Sequence, residues 1–263
     1  MTHLSYTTHG NPSNPAVLLL HGFMSCAGQW WANMEALGDD YFLINVELWG
    51  HGKSPEPEHI ADYSVAGYVQ EFEAIRRALN IDRWILVGQS YGAGVVLSYA
   101  LEQPQQCRGI VATNSRSAFG TLNASTSAST STSTSASAAT NNPFEQAEFS
   151  ARKLPYHPIH ARRFPEHIKN ELVKCADAMP VSAIRNGGRL GTALNFRERL
   201  DLIQPPLLLT NGVYEKSFQA DLQSLLQRYP DLQVTDLPGG HSVNIEAADE
   251  FNQACLAFFS SLN

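Results

Sequence analysis

The segment 84–101 constrains the fold most. An apolar run, Trp84-Ile85-Leu86-Val87, ends at Gly88-Gln89-Ser90-Tyr91-Gly92. The small, apolar segment Tyr91–Leu101 that follows is helix-forming and stops before Pro104. A buried strand that turns straight into a helix leaves no room for side chains at the flanks of the turn, and Gly88 and Gly92 supply that room. Such a turn lifts the Ser90 hydroxyl above the carboxyl end of a sheet. It also sets Ser90 at a helix N-terminus, where free N–H groups favour negative charge.

The rest of the chain repeats this rhythm. Ala16–Leu20, Tyr41–Val46 and Gly109–Thr113 are short, nearly continuous apolar runs, as expected of strands buried on both faces. Val65–Leu79 carries an apolar stripe at helical spacing. Later, Pro206–Thr210 and Leu232–Leu237 read as strands, and Ser217–Tyr229 and Val243–Leu262 as helices. The alternation predicts an α/β fold with a mostly parallel sheet and helices on both faces.

The alternation breaks in the middle. Residues 124–140 contain only Ala, Ser and Thr, which cannot bury a core and predict a solvated loop. Beyond it lie helical patterns such as Pro165–Ala178 and no clear strand. The 263 residues exceed one minimal domain and fall short of two. The expected organisation is a core of residues 1–115 and 200–263, split by an insert over 116–199. A long insert in a compact domain is usually functional, often a lid.

Charge separates the same regions. The chain carries a net −7, yet residues 151–200 hold ten Lys/Arg against four Asp/Glu, an excess of +6. The remainder is therefore at −13. No basic domain stands out, so no nucleic-acid partner is expected. No apolar run approaches a membrane span, and the first residues lack a secretory pattern. The four cysteines, at 26, 107, 175 and 255, form no C-x-x-C pair. They are expected to be reduced thiols of a cytoplasmic protein, with no metal or organic cofactor.

A serine hydroxyl needs a base to become a nucleophile. His241 follows the last predicted strand in Pro238-Gly239-Gly240-His241, at the edge where Ser90 also sits. His21 and His51 compete, but both precede glycine in tight loops, where a neutral ring holds loop hydrogen bonds. The base in turn needs a carboxylate. Glu215, three residues past Gly212, is the only acid in the turn after the preceding strand, with Asp221 and Asp236 as fallbacks. The oxyanion donors are expected to be the backbone amides of Tyr91 and Phe23, with Met24 the alternative to Phe23. Among the insert arginines (152, 162, 163, 185, 189, 197 and 199), Arg162 and Arg163 are candidates for gripping a substrate carboxylate. Trp30 heads a set of aromatics that could line an acyl pocket, with Phe23, Trp31, Tyr91, Phe144 and Phe149.

His21-Gly22-Phe23, Gly50-His51-Gly52-Lys53-Ser54, the 88–92 turn, Asn211-Gly212 with Glu215, and Gly240-His241 together resemble the α/β-hydrolase superfamily. The resemblance implies an eight-stranded, mostly parallel sheet, a helical cap after the sixth strand, and a serine–histidine–acid triad. Glu215 departs from the aspartate of most relatives. The serine sets the chain apart from haloalkane dehalogenases, which carry aspartate at that turn. Within the superfamily it is similar to small carboxylesterases, lactonases and C–C hydrolases, and to the lyase that makes 2-succinyl-6-hydroxy-2,4-cyclohexadiene-1-carboxylate. The activity implied is cleavage of a carboxylic ester, lactone or thioester of a small acyl substrate. The alternatives are a C–C hydrolase or lyase, or a ligand-binding receptor on the same scaffold. Oligomeric state is left open.

Overall fold

Six strands run parallel because each is reached through a crossover rather than a tight hairpin. The computed structural model describes residues 3–121, 150–191 and 193–262. Its strands are β1 (Tyr6–His9), β2 (Ala16–Leu20), β3 (Phe42–Val46), β4 (Trp84–Gly88), β5 (Cys107–Thr113), β6 (Leu207–Gly212) and β7 (Gln233–Leu237). They lie in the order β1-β3-β2-β4-β5-β6-β7, and only β1 is antiparallel to its neighbour. The described residues thus form seven strands, not the eight that the resemblance implies. The half-polar β1, YTTH, pairs along the outer edge and has no apolar run to announce it.

The helices are α1 (Met34–Gly38), α2 (Val65–Ala78), α3 (Tyr91–Glu102), α4 (Arg116–Phe119), α5 (Glu166–Asp177), α6 (Val181–Leu190), α7 (Lys216–Arg228), α8 (Val243–Glu246) and α9 (Ala248–Ser260). One face of the sheet is covered through Phe72, Trp84, Tyr99 and Phe218, the other through Trp30, Leu37, Phe251 and Phe259. Covering both faces explains why β2, β3 and β4 are apolar and buried at nearly every position. Each fully buried Phe or Leu side chain contributes about 1.5–3 kcal/mol. The single helix predicted over Val243–Leu262 is broken at Ala247, whose ψ of 57° leaves the helical region.

Strand order decides where a ligand can sit. After β2 the chain moves outward to β3, then crosses back to place β4 on the other side of β2. The loops leaving β2 and β4 therefore diverge from adjacent strand ends, with Leu20 opposite Gly88. This reversal opens a crevice at the carboxyl edge. The ends of β6 and β7 close the same edge, with Gly212 opposite Leu237. Over the crevice lie α5 and α6, packed on the β2 loop through Met24, Ala176, Met179 and Ile184. Phe119, at the end of α4, stays in the sheet's core beside Phe218. The Ala/Ser/Thr tract 124–140 lies outside the described residues.

Candidate active site

The turn after β4 is strained in the way the sequence requires. Ser90 adopts φ 52°, ψ −113°, a conformation that costs a non-glycine residue about 1–3 kcal/mol. A Cβ at Gly88 would sit 2.5 Å from the Gly92 carbonyl oxygen, and one at Gly92 would meet the Leu20 and His21 carbonyls. The strain is held by neighbours. The Ser90 amide donates to Thr113 Oγ1 on β5 at 3.1 Å.

Ser90 Oγ lies 2.8 Å from His241 Nε2. On the other side of the ring, His241 Nδ1 lies 3.0 Å from both carboxylate oxygens of Glu215. Ser90, His241 and Glu215 thus form one hydrogen-bonded chain across three loops. The tautomer follows: Nδ1–H donates to the carboxylate and leaves Nε2 as acceptor for the serine hydroxyl. Enclosure by the surrounding protein is the largest influence on this ring and disfavours its charge. The hydrogen bond and charge of Glu215, aided by Glu246, outweigh it, and the His241 pKa lies above the ordinary histidine value. The fallback acids are engaged elsewhere. Asp221 accepts from the Thr121 amide and pairs with Arg116, and Asp236 accepts from Asn211.

The two competing histidines do what tight loops demand. His21 Nδ1 donates to the Gly22 carbonyl and Nε2 accepts the Leu48 amide. His51 Nδ1 donates to the Trp49 carbonyl and Nε2 accepts the Met24 amide at 3.1 Å. Each ring is satisfied only when neutral. Burial, with the neighbouring His51, lowers His21 to about 3, and burial lowers His51 to about 4. The second bond also distinguishes the two candidate amides on the β2 loop. Met24 N–H is occupied by His51, whereas those of Phe23 and Tyr91 find no acceptor among the described residues.

Several positioning groups carry no motif. Gln89 Nε2 donates to the His241 carbonyl and ties the histidine loop to the serine turn. Asn114 grips Gly212 twice, accepting its amide at 2.7 Å and donating to its carbonyl, and so fixes the strand end that carries Glu215. A buried amide network of Gln29, Asn33, Asn244 and Asn252 joins the β2 loop to α8 and α9.

A cavity of about 690 Å³ opens above Ser90. Its walls include Phe23, Tyr91, Arg116, Tyr156, Phe164 and Leu172. Phe23 stacks near Tyr91 and Tyr156, and the Tyr91 hydroxyl donates to the Gly187 carbonyl of α6. Trp30, by contrast, is fully buried beneath the sheet against Phe251, away from the cavity, because its helical turn faces the core. Trp31 lines a different cavity, and Phe144 and Phe149 lie outside the described residues. Arg163 stands beyond the wall, paired with Glu246 at 3.1 Å and stacked over Tyr214. Arg162 is exposed and does not line the cavity. Among the described residues, the arginine that does is Arg116, on α4, at the very start of the insert.

Comparison with known proteins identifies the fold family. The sequence model of the alpha/beta hydrolase fold family matches residues 15–248, so the chain belongs to that family. It is 29% identical over 251 residues to a Klebsiella pneumoniae (strain 342) protein provisionally named carbamate hydrolase RutD, covering 92% of this chain and 90% of that one. It is 22% identical over 262 residues to a Bacillus subtilis (strain 168) protein provisionally named 2-succinyl-6-hydroxy-2,4-cyclohexadiene-1-carboxylate synthase, covering 96% and 93%. Among solved structures, a thermophilic esterase from Thermogutta terrifontis superposes with a TM-score of 0.77 at 17% identity, over 98% of this chain and 93% of that one. Among the described residues, no helix is long and apolar enough to cross a membrane.

Proposed function

We propose that the chain is a serine hydrolase of carboxylic esters, lactones or thioesters, acting through an acyl-enzyme. The observation that carries this reading is the unbroken chain Ser90 Oγ–His241–Glu215, at 2.8 and 3.0 Å. Ser90 Oγ attacks the substrate carbonyl while His241 Nε2 takes its proton. The negative oxygen is met by the Phe23 amide of the β2 loop and the Tyr91 amide at the start of α3, whose dipole favours it. Collapse expels the leaving group, which takes the proton back from His241. Water then attacks the acyl carbonyl with the same base, and Ser90 is regenerated. Glu215 holds the ring's tautomer and stabilises its charged form.

Residues 150–199, with the rest of the insert over 116–199, serve in this reading as a cap that selects the acyl group. The aromatic and aliphatic wall of the cavity suits a small, largely apolar acyl chain. The test is pre-steady-state turnover of a nitrophenyl ester series. A burst of one equivalent, with the acyl group mapped to Ser90, is the expected result. Slow, burst-free turnover with no trapped acyl group would favour the C–C cleaving reading, in which the same histidine acts only as a base.

A further inference from the structure

A second cavity, of about 700 Å³, lies on the opposite side of the β2 loop. It is separate from the Ser90 crevice and shares no residue with it. Its wall brings together Cys26, from the β2 loop, and Glu171 and Cys175, from α5. The two residues on α5 are four apart and so share one helix face. Both sulfurs and a Glu171 carboxylate oxygen lie within 4.8 Å of one another. Packing at Gly28 permits this approach: a Cβ there would stand 3.3 Å from Glu171 Cγ and 3.6 Å from Cys26 Sγ.

We propose that Cys26, Cys175 and Glu171 bind a thiophilic divalent cation of the Zn²⁺ class, with a fourth position open to water from the cavity. Two thiolates and a carboxylate are a donor set that suits zinc, cobalt(II) or cadmium and not magnesium or calcium. Tetrahedral Zn–S bonds of about 2.3 Å put two sulfurs about 3.8 Å apart, so the donors need to close by roughly 1 Å at most. Side-chain rotation of Glu171 and Cys175 on α5 supplies such a movement. Binding releases two thiol protons to solvent and leaves the sulfurs as thiolates.

The surroundings favour a cation over a coincidental pair of thiols. Cys26 is 2% exposed, and the next residue is clamped on both sides. The Ala27 amide donates to Glu47 Oε1 at 3.1 Å, and its carbonyl accepts Asn45 Nδ2 at 3.0 Å. The sulfur of Cys26 is thus presented from a rigid loop. Asn45, 2% exposed and lining the same cavity, leaves its Oδ1 without a hydrogen-bond partner among the described residues. Cys175 Sγ already donates to Glu171 Oε1 at 3.7 Å. The competing cation, Lys174, stands 3.8 Å from Glu171 and is 79% exposed, which makes it a weak rival. A filled site would fasten α5 to the loop that carries the Phe23 amide. Cys26 and Cys175 lie too far apart in sequence for any ligand-spacing motif to register.

Titration of the reduced full chain with Co²⁺ tests the proposal without any activity assay. One equivalent is expected to produce the near-ultraviolet charge-transfer band of thiolate-bound cobalt, and Zn²⁺ is expected to displace it. C26S and C175S each abolish the band, and C107S leaves it unchanged. E171Q, on a partly exposed helix face, keeps the fold and is expected to weaken Zn²⁺ binding at least about tenfold in equilibrium dialysis. The site is overturned if the reduced protein gives no charge-transfer band. It is overturned equally if Zn²⁺ uptake survives the C26S/C175S double substitution. A Cys26–Cys175 disulfide found by mass mapping, with no cation taken up after reduction, also overturns it.

Discussion

Two histidine-bearing regions at the carboxyl edge of the sheet are built to opposite ends. The loops after β2 and β3 bury His21 and His51, saturate both ring nitrogens with backbone partners, and hold the rings neutral. The loop after β7 leaves His241 with a 45% exposed side chain and gives it a carboxylate on one nitrogen and a hydroxyl on the other. The first region titrates far below neutrality, and the second is raised above the ordinary histidine range. In the proposed function, the difference separates a structural ring from a working one. Both are held by polar contacts, but His241 touches a hydroxyl whose proton it can take.

Breaking the working ring should have the largest effect. S90A and H241A are expected to lower kcat for an activated ester by about 10⁴–10⁶ with little change in KM, measured in steady state. E215Q keeps the shape but cannot fix the Nδ1–H tautomer, and about a 10³–10⁴-fold loss of kcat is expected. Retention of activity in E215Q would return the role to another acid.

The pH profile sharpens the contrast. His241 must be neutral to accept the serine proton, so kcat/KM is expected to rise with pH through a midpoint above the ordinary histidine value of about 6.5. Residual activity of E215Q should show that limb moved to lower pH, because the carboxylate that favours the charged ring is gone.

His21 and His51 should appear instead in stability. Their folded pKa values, about 3 and about 4, lie below the unfolded value, so the unfolded chain takes up protons first as pH falls. Their contribution is intact above about pH 6.5 and is lost progressively as pH falls, down to about 4 for His51 and about 3 for His21, at up to about 1.4 kcal/mol per proton per pH unit. Urea unfolding across that range checks it, and H51Q is expected to reduce the proton uptake by about one. The smallest effect concerns the arginines. R116A is expected to raise KM about fivefold for esters bearing a carboxylate, and R162A to change nothing. Equal effects would return the carboxylate grip to the segment around Arg162.

Much of this was legible in the sequence because the strands are buried on both faces. Continuous apolar runs marked β2, β3 and β4 to within a residue or so, and the glycines at 88 and 92 marked a turn that permits nothing larger. Ser90, His241 and Glu215 could be chosen because each sits just past a strand end, where a parallel sheet gathers its loops. Trp30 could not be placed, since an aromatic beside a site and one in the core have the same local pattern. Arg116 and the amide network escaped notice for a related reason. Their roles depend on which loops the strand order brings face to face, and the β2–β4 reversal is a property of the whole sheet. The Met24–His51 bond, which occupies one of the two candidate amides on the β2 loop, is likewise invisible without the fold.

The central claim is that Ser90 is a nucleophile activated through His241 and Glu215. Labelling with a fluorophosphonate, followed by mass mapping of the adduct, tests it most directly. Stoichiometric modification of Ser90 is expected, abolished in S90A and slowed at least about a thousandfold in H241A. An unlabelled Ser90 in the folded protein, or labelling that proceeds equally fast without His241, would contradict it.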